Sequence, residues 1–127
     1  MLRALHRHLL SFVLLAGLAS PCLAAEAFVT GIEDLPLMPG LQSLPAENVV
    51  FDAPSGRVVE AWAEGNVTLQ AVLAFYAATL PQLGWRRGTP ETFRREGELL
   101  RLEFPASTPQ GPHTAGALLV RFYLSPG

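Results

Sequence analysis

The apolar positions of this chain recur with three different rhythms, and each rhythm predicts a different kind of element. Leu69, Val72, Tyr76, Leu80 and Leu83 follow one another at spacings of three and four residues, which is one face of an α-helix. Leu73 and Phe75 widen that face, and Ala71, Ala74, Ala77 and Ala78 add helix propensity. Thr68, or Asn66 before it, is placed to cap the first turn. Pro81 has no N–H to donate back to residue 77, so the helix is expected to kink or tighten there. Gly84 then stops it in the left-handed conformation that ends helices. Phe75, Tyr76, Leu80 and Leu83 are expected to face a sheet.

The second rhythm is alternation. Residues 49–65 read as strand, turn and strand, with turn chemistry from Asp52 to Gly56. In the second of these strands Val59, Ala61 and Ala63 form a small apolar face, and Val58, Glu60, Trp62 and Glu64 a mixed one. After Gly84, "WRRGTPETFRRE" holds one or two short strands broken at Gly88–Pro90. "ELLRLEF" pairs with it through the tight Glu96-Gly97 turn. In "GALLVRFYLSP", Leu118, Val120, Phe122 and Leu124 alternate with Leu119, Arg121 and Tyr123. A proline-rich loop, residues 105–115, precedes that strand. The pattern predicts one α+β domain over 49–127. One main helix packs on one face of a curled antiparallel sheet of five to six short strands, in the order β-β-α-β-β-β.

The third rhythm is an unbroken apolar block. Leu9 to Ala19 follows Arg3 and Arg7 and leads into "SPCLAA", the pattern of a secretory signal peptide over residues 1–24. Cleavage is expected after Ala24, with Ala27 as the alternative. The block is shorter than the roughly 20 residues a membrane-spanning helix needs, so no stable transmembrane span is expected after cleavage. Residues 25–48 carry Pro36, Pro39 and Pro45 among Leu35, Leu37, Met38, Leu41 and Leu44. Such a segment is too apolar for a solvated linker, and an ordered, extended lead-in across the domain is expected.

The helix exit carries a resemblance. "FYAATLPQLGW", with "FRREGELLRLEF" and "VRFYLSP" after it, resembles a pattern in uncharacterised small exported bacterial proteins. In these, a helix bearing F-Y-x-x-x-L-P-x-L-G-W leads into a β-hairpin. "TGIEDLPLMPGL" is similar to the start of such proteins. The resemblance implies the helix-on-sheet fold and a bacterial cell envelope, and no activity; the leader pattern sets the expected location, periplasmic or secreted after cleavage.

Charge narrows the function classes. The chain has nine basic residues, all arginine, against eleven acids, for a formal net charge of −2. Loss of Arg3 and Arg7 with the leader takes this to −4, a sign that disfavours nucleic-acid binding. The only cysteine, Cys22, lies in the leader, so the mature chain has no disulfide or thiolate chemistry. His113 sits in the proline-rich loop without spaced partners for a metal or a catalytic dyad. Glu33-Asp34 and Asp52 lack the oxygen spacing of a calcium loop. No catalytic constellation, metal site or cofactor motif is read.

The arginines are the most informative polar residues. Arg86, Arg94, Arg101 and Arg121 fall on runs expected to be neighbouring strands. On the face opposite the helix they would form a basic stripe, with Tyr123 and Trp62 beside it. Arginine suits bidentate contact with carboxylate or phosphate. The expectation is a non-enzymatic binding or accessory protein. It would act by contact with an envelope protein or a small anionic ligand through this face. The alternatives are a small-ligand carrier with a pocket between helix and sheet near Tyr76 and Trp85, and a hydrolase using scattered carboxylates.

Overall fold

The computed structural model describes residues 27–111 and 113–127; the expected leader and Cys22 lie outside them. The strands are β1 (Leu41–Ser43), β2 (Val49–Ala53), β3 (Gly56–Gly65), β4 (Arg86–Arg87), β5 (Thr92–Arg95), β6 (Glu98–Glu103) and β7 (Leu118–Pro126). One helix, α1 (Leu69–Thr79), lies between β3 and β4. All seven strands join one antiparallel sheet in the order β1-β3-β7-β6-β5-β4, with β2 also paired to β3. The α+β architecture is as expected. The sheet has one strand more than the upper expectation, because the lead-in contributes β1.

β1 and β2 share one edge of the long strand β3. β2 pairs along Gly56–Glu60 and β1 along Ala63–Gly65, while β7 runs down the other edge. The gap between them falls at Trp62, whose backbone would be left unpaired there. The amide of Leu44 donates to the Trp62 carbonyl at 2.8 Å, and the Trp62 amide donates to Asn48 Oδ1 at 2.9 Å. β1 was not legible as a strand because its partner lies more than twenty residues on and Pro39 and Pro45 flank it.

The helix follows its local signals. The Thr68 hydroxyl accepts from the Ala71 amide, and at Leu80–Leu83 the chain tightens into a 3-10 turn over Pro81. Gly84 then takes φ 88° and turns the chain into Trp85. Val72, Tyr76 and Leu80 are wholly buried against the sheet, but the ends of the predicted stripe are not: Leu69 and Leu83 are exposed, and Phe75 is half-buried. The core joins these residues to Val59, Ala61, Phe93, Leu100, Leu102, Val120, Phe122 and Leu124. Each fully buried side chain of this size contributes about 1.5–3 kcal/mol.

The lead-in departs from the extended path expected of it. Phe28 bridges Pro36, the Val29 amide donates to the Leu35 carbonyl at 2.8 Å, and the Leu37 amide donates to the Ala27 carbonyl at 2.8 Å. Gly31, at φ 86°, makes the reversal possible. This folded loop inserts Val29, Ile32 and Leu35 into the core. Its spacing of three apolar residues resembles a helix turn, and the glycine and proline convert it into a plug. The Tyr76 hydroxyl holds the exit, donating to the Pro36 carbonyl at 2.9 Å and accepting from the Met38 amide at 3.2 Å.

Candidate functional site: the sheet face opposite the helix

Register decides which arginines share a face, because directly opposed residues in an antiparallel pair point the same way. Arg86 opposes Arg94, Arg101 opposes Tyr123, and Arg121 lies between Trp62 and Glu103. Tyr123 in turn opposes Glu60. Val59, Phe122 and Leu100 take the alternate positions on the core side. Arg86, Arg94, Arg101, Arg121, Tyr123 and Trp62 are therefore all on the face away from the helix.

They do not form a uniform stripe. Arg121 is the hub of a closed cluster. One of its terminal nitrogens donates to Glu60 on β3 and the other to Glu103 on β6. Its guanidinium lies 4.8 Å from the Tyr123 ring centre and 5.9 Å from that of Trp62. Burial pushes this guanidinium down, but the hydrogen bonds to Glu60 and Glu103 outweigh it and hold the group above its ordinary value. Two carboxylates do converge here, and a cation occupies the space between them. Trp62 is only 5 % exposed, so it supports the cluster from within and presents no surface. Among the described residues, the indole nitrogen of Trp62 and Asn48 Nδ2 have no hydrogen-bond partner. Arg101 is exposed and reaches Glu103 at 3.7 Å.

The β4–β5 end differs. Arg86 and Arg94 are both exposed and face one another across the pair. Among the described residues neither has a carboxylate within ion-pair distance, whereas Arg57, Arg95 and Arg101 each hold one and Arg121 holds two. Like charges set directly opposite destabilise a sheet. A groove of about 550 Å³ lies beside them, lined also by Leu83, Gly84, Arg95 and Glu96.

Two arginines outside the predicted set organise the opposite face. Arg95, next to Arg94, alternates to the core side with Phe93. It grips Asp34 with two nitrogens at 2.5 and 3.1 Å, donates to the Leu83 carbonyl and stacks 4.3 Å from the Trp85 ring centre. That hydrogen bond to Arg95 holds the Asp34 carboxyl below the usual range, against the opposing effect of burial. Arg57 binds Glu98 at 3.0 Å and the Gly31 carbonyl at 3.3 Å. Both arginines clamp the lead-in loop to the sheet. Alternation from buried Phe93 was the signal that could have separated Arg95 from Arg94; its acidic partner, 61 residues away, left none.

The expected pocket near Tyr76 and Trp85 is filled: both side chains are buried in the core, Tyr76 edge-on to Phe122 at 5.5 Å. An apolar groove of about 570 Å³ lies instead between the far end of α1 and the lead-in, with Leu37, Met38, Phe75 and Leu83 in its wall. His113 is half-buried and bonded to the Ala117 carbonyl at 2.9 Å, which fastens the proline-rich loop. Among the described residues, no three His, Cys, Asp or Glu side chains are grouped to hold a metal ion. No described helix is long and apolar enough to cross a membrane. Comparison with protein-family models, curated proteins and solved structures finds no match.

Proposed function

We propose that this is an exported, non-enzymatic protein that works by contact, docking an acidic partner surface on the sheet face opposite the helix. Arg86, Arg94 and Arg101 are the contact cations, with Tyr123 beside them. Arg121 and Trp62 hold the strands beneath. The observation that carries the reading is the exposed Arg86–Arg94 pair, set in direct opposition without a carboxylate among the described residues. Two opposed guanidiniums cost a sheet stability, and an anionic partner removes that cost. Export rests on the leader pattern before Ala25.

The test is the double replacement Arg86→Gln/Arg94→Gln, assayed for binding to a polyglutamate peptide by fluorescence anisotropy across a salt series. The expected result is an unchanged or higher melting temperature with binding weakened about tenfold or more, the scale of lost charge-assisted contacts. Undiminished binding in the double variant overturns the reading. A second reading, a small-ligand carrier, is favoured by the apolar groove beside Met38 and Phe75, whose volume is in the range of small-molecule sites. Decanoate raising the melting temperature in proportion to its concentration is the outcome that reading requires.

A further inference from the structure

The sheet treats its edges unequally. At one end β4 is two residues long, and both are arginine. Short length and charge are the usual guards against edge-to-edge pairing. β1, three residues long, covers part of the other side. β2 is less guarded, with Asp52 its one charge. It is five residues long, pairs only with β3, and presents Val49, Val50 and Phe51 about half-exposed, at 47 %, 57 % and 51 %.

Its outward hydrogen-bonding groups follow from the hairpin. Ala53 opposes Gly56 across the two-residue turn Pro54-Ser55, so that pair exchanges both backbone bonds. Phe51 with Val58 and Val49 with Glu60 do the same by alternation. The N–H and C=O groups of Val50 and Asp52 therefore point away from β3. They have no backbone bond elsewhere among the described residues.

This outward set is a palindrome about Phe51. A second copy of β2, turned by a two-fold axis through Phe51, places its Asp52 against Val50 and its Val50 against Asp52. All four outward groups on each strand are then satisfied. Phe51 meets the second copy's Phe51 at a position where side chains lie closest, and Val49 meets the second copy's Ala53. Each Asp52 carboxylate faces a valine, so no like charges are directly opposed. Shifting the axis to Val50 would require the Asn48 amide, which already donates to Pro45.

We infer that the β2 edge is a self-association strand, joining two copies of this protein in an antiparallel pair centred on Phe51 to make one continuous sheet. The strand pair is smaller than a standard specific interface of about 1,200 Å², so the dimer is weak and depends on concentration. The paired edge lies at the opposite end of the sheet from Arg86 and Arg94 and leaves that face open in both copies.

Sedimentation velocity on the purified protein, over a concentration series reaching about 1 mM, tests this. The wild-type sedimentation coefficient is expected to rise with concentration. Val50→Pro removes only an outward N–H and keeps the β2–β3 ladder, so it is expected to stay monomeric and folded. Register is read by oxidation: Phe51→Cys is expected to form intermolecular disulfides several-fold faster than Val49→Cys, which lies four residues out of register with its own copy. A wild-type protein that remains monomeric throughout overturns the proposal. So does a dimer in which Val49→Cys and Phe51→Cys cross-link equally. The cysteine comparison decides the matter even if Val50→Pro fails to fold.

Discussion

The hydroxyl of Tyr76 is one of the smallest groups in this protein with a large structural duty. Tyr76→Phe keeps the ring, which stands edge-on to Phe75 at 5.0 Å and to Phe122 at 5.5 Å, and removes only the oxygen. That oxygen is the partner of both the Pro36 carbonyl and the Met38 amide. A backbone group left without a partner costs about 1–3 kcal/mol when fully buried. Pro36 and Met38 are half-buried, so water takes over part of the loss and the expected cost is about 1–2 kcal/mol. For a domain near 100 residues this lowers the melting temperature by roughly 5–15 °C. Hydrogen exchange at the Met38 amide should quicken in the variant, while amides of β6 and β7 lose only the global difference. Tyr123→Phe is the control, because that hydroxyl has no hydrogen bond among the described residues; its effect should stay within about 0.5 kcal/mol. Alkaline titration gives a second reading. Burial pushes the Tyr76 phenol well up, with the Met38 hydrogen bond working against it. Its stabilisation is therefore complete below the unfolded value of about 10 and declines as pH rises through the folded one. Tyr76→Phe should remove that part of the alkaline loss. An unchanged melting temperature together with unchanged exchange at Met38 would refute the claim that this hydroxyl pins the lead-in.

Other perturbations separate the remaining contacts. Asp34 is held below its ordinary range by Arg95, so its contribution is present above the unfolded value of about 3.9 and is lost as pH falls through the folded value. Asp34→Asn should flatten the acid limb of a stability–pH curve measured by urea melts, by a modest amount since the carboxylate is half-exposed. Arg121→Met leaves Glu60 and Glu103 facing each other without their cation, and should cost about 1–3 kcal/mol in urea denaturation. Restoring part of that loss with a second change, Glu103→Gln, would show that the repulsion is the cause. At Gly65 an added Cβ would stand 2.1 Å from the Gly40 carbonyl oxygen, so Gly65→Ala should cost about 1–3 kcal/mol and detach β1, seen as faster exchange at Leu41–Ser43.

What the sequence disclosed and what it concealed divide along range. The capping hydroxyl of Thr68, the tightening at Pro81 and the left-handed Gly84 are local chemistry, decided within a few residues. The two faces of β3 and β7 were equally open to reading, because alternation alone sorts neighbouring residues onto opposite sides of a strand. The lead-in was hidden for the opposite reason. Val29, Ile32 and Leu35 acquire their role only when the loop is clamped by Arg57 and Arg95 from distant strands. Alternation puts these arginines on one face but is silent on how their charges are shared out: nothing near Arg121 in sequence shows that Glu60 and Glu103 neutralise it, while Arg86 and Arg94 stay exposed. Leu69 and Leu83 kept the helical period yet stand exposed at the two ends of the stripe.

The strand made last is the one in the middle. β7 lies between β3 and β6, and no pairing joins the β3 side of the sheet to the β6 side without it. A growing chain therefore carries a hairpin, a helix and a second hairpin whose strands gain a common neighbour only with β7. The core that unites Val29 with Leu124 takes Val120, Phe122 and Leu124 from this one segment, residues 118–126. Completion of the sheet is in this sense deferred to the arrival of one nine-residue segment. Under the export proposed above, a sheet left open until its last strand is made would hold the precursor short of its final fold during passage.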